Sequence, residues 1–524
     1  MTNQGKRLKN NTEDDEKLKA TLEKFRRAVP TARVFEFSTT ALDHLGVLLY
    51  CVAIWTDDGN YYDGFGYGAG ETGAKIGAWG EVLESFYAVE MLRRTPRVFA
   101  SYNELKAKNQ NAVAPPTLCL DAGGDYSPDN LIHWVAVKDL RGGETLVPVE
   151  SVAVYPAQVP EITDGKWLYR PITNGLGAGA SLAQAIAHGT LETVQRDGNC
   201  VTFRALDLGR RIELDAVKNP GTLRLLELLE HANIEIIPKL AGIVADIPVI
   251  YVVGYDRDVR RAEFSMTVSA CGEAAHPDRE IALNKALREY VSGRARKHFM
   301  HGTLDKLARV APAEYVHAMT SEPAPPQESR AFEAVLDWAT APHEEIYRRI
   351  EKPILETRST VKFSELPTNE FAPGDWDAIL AHLQKKFAAL DTEILYADFS
   401  QLAPEGIFVT RAVVPRMEGE TMSYGRIGRR NLERLLERQK VDPQIEKMVG
   451  FGDDAPPPQA LKIHLTKEDE TRYPNAWLDP DATARQVGEF YALYREPESF
   501  AVGQVLRDRE NKAGVIGNVA SKGK

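Results

Sequence analysis

Two stretches of this chain of 524 residues run a glycine-rich turn directly into a helix, and that repeated design constrains the fold more than any other feature. The first is TNGLGAGASLAQAIAHGTLETVQRD, from Thr173 to Asp197. Its helix carries Gln184, His188, Glu192, Gln195 and Arg196. At about 100° per residue, Gln184 and Gln195 lie about 20° apart around the axis, and His188 and Glu192 fall within about 80° of Gln184. Ile186, Leu191 and Val194 point elsewhere, so the helix has a polar stripe. The second stretch is GFGYGAGETGAKIGAWGEVLESF, from Gly64 to Phe86, with Glu81 and Glu84 three residues apart on one helix face. Carboxylates at that spacing repel unless a cation or basic partner sits between them. A hard ion such as Mg²⁺ takes one or two protein carboxylates and fills its shell with phosphate oxygens. Either segment alone reads equally well as a solvated helix face; two in one chain point to a shared site.

The formal net charge of −11 excludes a general nucleic-acid binder, which needs a basic surface to meet backbone phosphates. Cys51, Cys119, Cys200 and Cys271 are far apart with no CxxC pair, which argues against a ribbon-type zinc site and for reduced thiols in a cytoplasmic protein. No run of 18 apolar residues is present, so no membrane span is expected, and the charged N-terminus lacks the apolar core of a signal peptide.

Residues 1–32 read as a charged helical leader. Strands are expected in Arg33–Tyr67 (VFEF, then VLLYCVAIW) and in residues 118–170 (LIHWVAVKDL and VAVYPA around GGET). Residues 221–255 form an α/β unit: the amphipathic helix TLRLLELLEHAN, then IEIIPKL and IPVIYVVGYD as strands. Strand, glycine and helix recur in FSMTVSACGEAAHPDREIALNKALREYVSGR, whose helix holds Glu280, Glu289 and Arg294. Residues 305–395 are mainly helical, and EILYADFS with GIFVTRAVVP restores the sheet pattern. Beyond residue 430 the chain reads as an appended extension with a disordered tail.

GYGAGETGAK is not a P-loop, since Ala74 holds the lysine position and Lys75 comes one residue late. GLGAGA fits a dinucleotide pattern loosely, but Pro171 interrupts the preceding strand. No G-x-S-x-G and no HExxH occurs.

Taken together, these segments resemble the YcaO family of ATP-dependent peptide-modifying enzymes. Gly77-Ala78-Trp79-Gly80-Glu81-Val82-Leu83-Glu84-Ser85 is similar to the family's S-A-x-x-E-x-x-E-R element. Asn174–Ala180 leads to Gln184-Ala185 and Glu192-Thr193-Val194-Gln195-Arg196-Asp197, as in N-G-L-A-A-G-N-T-x-x-E-A followed by E-V-I-E-R-D. Ala282-Leu283, Ala286-Leu287, Glu289 and Arg294 match a third element, and VVPRMEGETMSYGRIGRR resembles the closing segment. The resemblance covers roughly residues 33–430 and implies an α/β (α+β) fold with internal pseudo-symmetry, mixed sheets and helices packed on them.

It further implies ATP and Mg²⁺ as cofactors, with ATP phosphorylating a peptide backbone amide to give azoline, amidine or thioamide products. Glu81, Glu84, Glu192 and Gln195 are then expected at magnesium, Gln184 and Glu289 as helpers in nucleotide binding, and Arg196 and Arg294 as catalytic contacts to phosphate oxygens. The implied partners are a precursor peptide and a leader-binding or sulfur-supplying companion protein, with a homodimer as one assembly open to such a chain. Departures from the pattern bear on catalysis. Gln184 and Gln195 stand where acids are usual, Ala180 where Asn is usual, Ser292 where Gln is usual, and the chain ends without a Pro-x-Pro-x-Pro tail. Two readings therefore follow: an enzyme working with fewer acids, or a non-catalytic relative that presents a precursor peptide.

Overall fold

The computed structural model describes residues 16–29, 32–68, 70–162, 166–200, 206–321, 329–419 and 425–487. The expected disordered tail, and the helix start expected at Thr12, lie outside the described residues.

A helix over residues 16–26 precedes a three-stranded antiparallel sheet of β1 (Ala32–Ser38), β2 (Leu49–Thr56) and β3 (Tyr61–Tyr67). Helix α1 (Glu71–Leu92) follows and packs back on β3. A second sheet begins with β4 (Val98–Ala100), β5 (Ile132–Asp139) and β6 (Glu144–Pro148), and continues with β7 (Leu176–Gly179) leading into helix α2 (Leu182–Asn199). The third sheet contains β8 (Arg210–Glu213), β9 (Ile234–Val244), β10 (Ile247–Asp256) and β11 (Ser269–Ala275), which leads into helix α3 (Arg279–His301). Its strand order is β11-β10-β9-β8-β12, where β12 (Ser359–Lys362) pairs parallel with β8. Strands β13 (Leu395–Asp398) and β14 (Phe408–Val413) return to the second sheet and complete the order β4-β5-β13-β14-β7. No described helix is long and apolar enough to cross a membrane.

The expected strand VAVYPA does not form. Glu144–Pro148 supplies the second arm of the hairpin with β5 instead. Pro148 and Pro156 bracket the apolar residues, and proline cannot donate to a ladder, so Val152, Ala153 and Val154 are buried in irregular backbone. The boundary expected near residue 430 falls inside helix α4 (Arg429–Val441). Leu432 and Leu435 of this helix share a core with Ile237 and Tyr251 of the third sheet, and so do Met448 and Leu478 beyond it. The polar tie is Asp197 at the end of α2. It is fully buried and accepts hydrogen bonds from Arg430 and Arg434 at 2.6 and 2.8 Å. Burial opposes the ionised form, yet these two guanidinium groups hold the Asp197 carboxyl below its usual range.

One packing rule occurs three times. Each of β3, β7 and β11 lays a glycine directly against the backbone of the helix that follows it. A methyl group on Gly66 would collide with the Ala74 carbonyl, one on Gly177 with the Ala185 carbonyl, and one on Gly272 with the Tyr290 amide. The strand-to-helix distance is thus set by the missing side chain, which is the internal repetition the family resemblance implied. Gly177→Ala is expected to cost at least about 2 kcal/mol through overpacking against backbone that cannot yield. Gly80→Ala faces open space within α1 and is expected to gain about 0.5–1 kcal/mol. Chemical denaturation of both variants, compared at equal m, checks the opposite signs.

Candidate functional site

The glycine contacts bring α1, α2 and α3 together, and each presents charged side chains to a common space. On α1, Glu81 accepts the Phe65 amide at 2.8 Å, from the strand that precedes its own helix. Glu84 accepts the Ala178 amide at 2.9 Å, from the strand that precedes the next helix. On α2, Glu192 accepts the Gly175 amide at 3.0 Å. Gly175 has φ of +87°, a left-handed turn that glycine adopts without strain. Three carboxylates therefore rest on backbone amides of the glycine-rich strands.

These three groups also act on one another. Burial, then Glu192 and Glu81, push the Glu84 carboxyl up to about 8. Burial likewise raises Glu81, opposed by Arg296 and by the Phe65 amide, with Asp63 and Glu192 adding to the rise. Glu81 nevertheless keeps more than a third of its surface accessible.

Cations complete the ring. Arg196 donates to Glu192 at 3.2 Å and to Glu273 of β11 at 3.3 Å. Lys285 of α3 acts on both Glu84 and His188, and His188, drawn down to about 3 by burial and by that lysine, is neutral near pH 7. Glu289 and Glu81 both act on the buried Tyr67 hydroxyl, which places Glu289 on the same side.

The structure thus brings together Glu81, Glu84, Glu192, Arg196 and Glu289. Gln195 is buried on the same helix. Gln184 acts locally, because its side-chain oxygen accepts the Ala180 amide at 2.9 Å and braces the turn that Ser181 caps. Arg294 is not brought to this group. It is buried between Asp43 and Asp256, with donors 2.9 and 3.2 Å from their carboxylates, where it acts as a structural ion pair. Arg296, two residues later, faces Glu81 instead. Helical phase carries that signal, because positions seven apart return to one face, so Glu289 and Arg296 align while Arg294 lies about 140° from Glu289. Lys285 shares that face, about 40° from Glu289 and about 20° from Arg296, whereas Glu273 on β11 carries no such local signal.

The donor set suits a hard divalent ion bridged to phosphate. The glutamates are oxygen ligands whose mutual repulsion a cation relieves, and Lys285, Arg196 and Arg296 stand ready for phosphate oxygens. Among the described residues no three His, Cys, Asp or Glu side chains are placed to hold a metal by themselves, so ligand oxygens are required to complete a shell.

Several known proteins are similar to this chain. A family model described as YcaO cyclodehydratase, ATP-ad Mg2+-binding, matches residues 65–418. An uncharacterized protein of Methanothermobacter thermautotrophicus is 28% identical over 398 residues, covering 75% of this chain and 91% of that protein. The YcaO structure from Methanopyrus kandleri bound with AMPPCP and Mg²⁺ has a TM-score of 0.54 at 18% identity, covering 79% of this chain and 94% of that one. A heterocyclase in complex with substrate and cofactor has a TM-score of 0.52 at 18% identity, covering 71% of this chain. The chain spans about half, 48%, of that heterocyclase.

Because Glu84 holds a proton that the unfolded chain releases above its ordinary pKa, stability is expected to fall as pH rises from about 4.5 toward about 8. Glu84→Gln removes this term, so the thermal midpoint of the variant should exceed that of wild type increasingly across that window. Parallel melting curves from pH 5 to 9 in metal-free buffer that stay offset by a constant amount would contradict the assignment.

Proposed function

Since this chain belongs to the YcaO family, we propose that it activates a backbone amide of a ribosomally made peptide with ATP and Mg²⁺. ATP-dependent peptide modification is the activity class the family supports, and ATP and Mg²⁺ are its cofactors. The observation that supports the reading is that Glu81 and Glu84 of α1 and Glu192 of α2 each accept a backbone amide and act electrostatically on one another. When bound, magnesium-ATP supplies an electrophilic γ-phosphoryl group that turns the amide oxygen into a leaving group, which a thiol, hydroxyl, amine or sulfide displaces as inorganic phosphate.

The chain's own groups do the rest. Glu81, Glu84 and Glu192 would hold the metal, and a bound cation would favour the ionised form of Glu84. Gln195 offers a carbonyl where the family pattern has an acid, which keeps an oxygen ligand but one charge fewer. Arg196, fixed by Glu192 and Glu273, would meet phosphate oxygens, and Lys285 and Arg296 approach the same space from α3. Charge-assisted bonds from fixed donors are worth most where phosphate charge develops and water is excluded. Gln184 braces the β7–α2 turn through the Ala180 amide.

The test is to incubate the full chain with ATP, Mg²⁺ and its cognate precursor peptide. ADP and phosphate should form in step with a change in peptide mass, and Glu192→Gln should lower kcat about 100-fold or more, as expected for loss of a group that stabilises charge in the transition state. Nucleotide bound without turnover of any peptide would favour the reading in which the chain presents a precursor to another enzyme. Gln195→Glu discriminates further, since a gain in ATP turnover marks an inactivated site and a loss marks a tuned one.

A further inference from the structure

Beside Arg196 lies a cleft, partly open to solvent, lined by Tyr169, Asn174, Thr193, Arg196, Arg411 and Arg426. Arg411 comes from β14 and is 4% exposed. One of its nitrogens donates to the Ala153 carbonyl at 2.9 Å, while its Nε is buried without a hydrogen-bond partner. Arg426 lies over the Tyr169 ring, 4.3 Å from the centroid, and donates to the carbonyls of Cys119 and Leu118 at 2.9 and 3.0 Å. Both arginines are thus held by carbonyl oxygens, and among the described residues neither forms an ion pair with a carboxylate.

The acids nearby do not cancel this charge. Glu418 lines the same cleft, but its oxygens accept the Gly428 and Asn431 amides, both at 2.8 Å, and burial raises its pKa. Glu192 and Glu273 answer Arg196. Burial lowers Arg411 to about 10, with Arg426 adding to the fall against the opposing influence of Tyr169 and Glu192, so Arg411 is charged at neutral pH. A buried charge with an unmet donor is costly unless a ligand supplies the counter-charge. Two guanidinium groups that have no carboxylate partner among the described residues match a tetrahedral dianion better than a singly charged carboxylate, and their planar forks suit phosphate oxygens.

We propose that this cleft is a binding site for a phosphate group. Its further role, receiving the phosphate that peptide activation releases, rests on the function proposed above; phosphate binding itself does not. Arg196 joins the two regions, with one nitrogen on Glu192 of the acidic site and its guanidinium in the cleft wall.

Inorganic phosphate is titrated into the full-length protein by calorimetry, against chloride at matched ionic strength, for wild type, Arg411→Met and Arg426→Met. Saturable binding is expected in wild type, weakened about ten-fold or more in each variant, as loss of one charge-assisted hydrogen bond implies. Arg411→Met is also expected to raise the melting temperature without phosphate, because it removes a buried charge. If that variant does not fold, the half-buried Arg426 position decides alone. Absence of phosphate binding beyond chloride, or binding unchanged in the variants, overturns the proposal. A second titration in saturating AMPPCP and Mg²⁺ separates two sources. Phosphate that still binds marks a site for free phosphate, and exclusion marks a seat for the nucleotide's terminal phosphate. Phosphate binding in a chain that does not bind AMPPCP sustains the cleft and overturns the function proposed above.

Discussion

Backbone touching backbone is the constraint on which this structure depends. At Gly66, Gly177 and Gly272 a strand comes so near the following helix that no side chain fits between them. That proximity does more than save volume. It brings the amides of Phe65, Ala178 and Gly175 within reach of carboxylates on α1 and α2, so the packing contact and the polar contact are one arrangement. Larger residues at the glycine positions would separate the strand from the helix and the amide from the acid together.

The second organising force is electrostatic. Three acids act on one another, and the cost of ionising them all is visible in the raised Glu84 carboxyl. Elsewhere the protein gives buried charges direct partners: Asp197 with Arg430 and Arg434, Arg294 with Asp43 and Asp256, Lys239 with Asp207. Among the described residues only Glu192 of the three clustered glutamates has such a partner, and Arg411 and Arg426 of the cleft have none. The cluster concentrates negative charge and the cleft positive, with Arg196 common to both. Charge imbalance beside well-paired networks is the mark of a ligand's place, since pairing within the chain was evidently available.

Much of the site was legible in the sequence because its parts are local. Glu81 and Glu84 share a face by spacing alone, and Gly175 announces the turn that leads into β7. Arg294 shows the limit of reading motif position. Its place in the pattern suggested phosphate, but helical phase turns it toward Asp43, and Arg296 takes the side facing Glu81. The segment after residue 430 misled for a similar reason, since its charged surface hides the few apolar residues, Leu432 and Leu435, that tie it to the third sheet.

The sequence by itself determined the three glycine–helix units and the spacing of the acids, because these follow from periodicity within a few turns of one helix, and its motifs carried the resemblance to the YcaO family. Only the tertiary structure decided that Glu84 of the first unit rests on the amide of the second, that Glu273 answers Arg196, and that Arg411 and Arg426 line one cleft with no ion pair to a carboxylate among the described residues. Those pairings join residues tens to hundreds of positions apart. Their strength comes from strand register and desolvation, which exist only once the sheets have assembled.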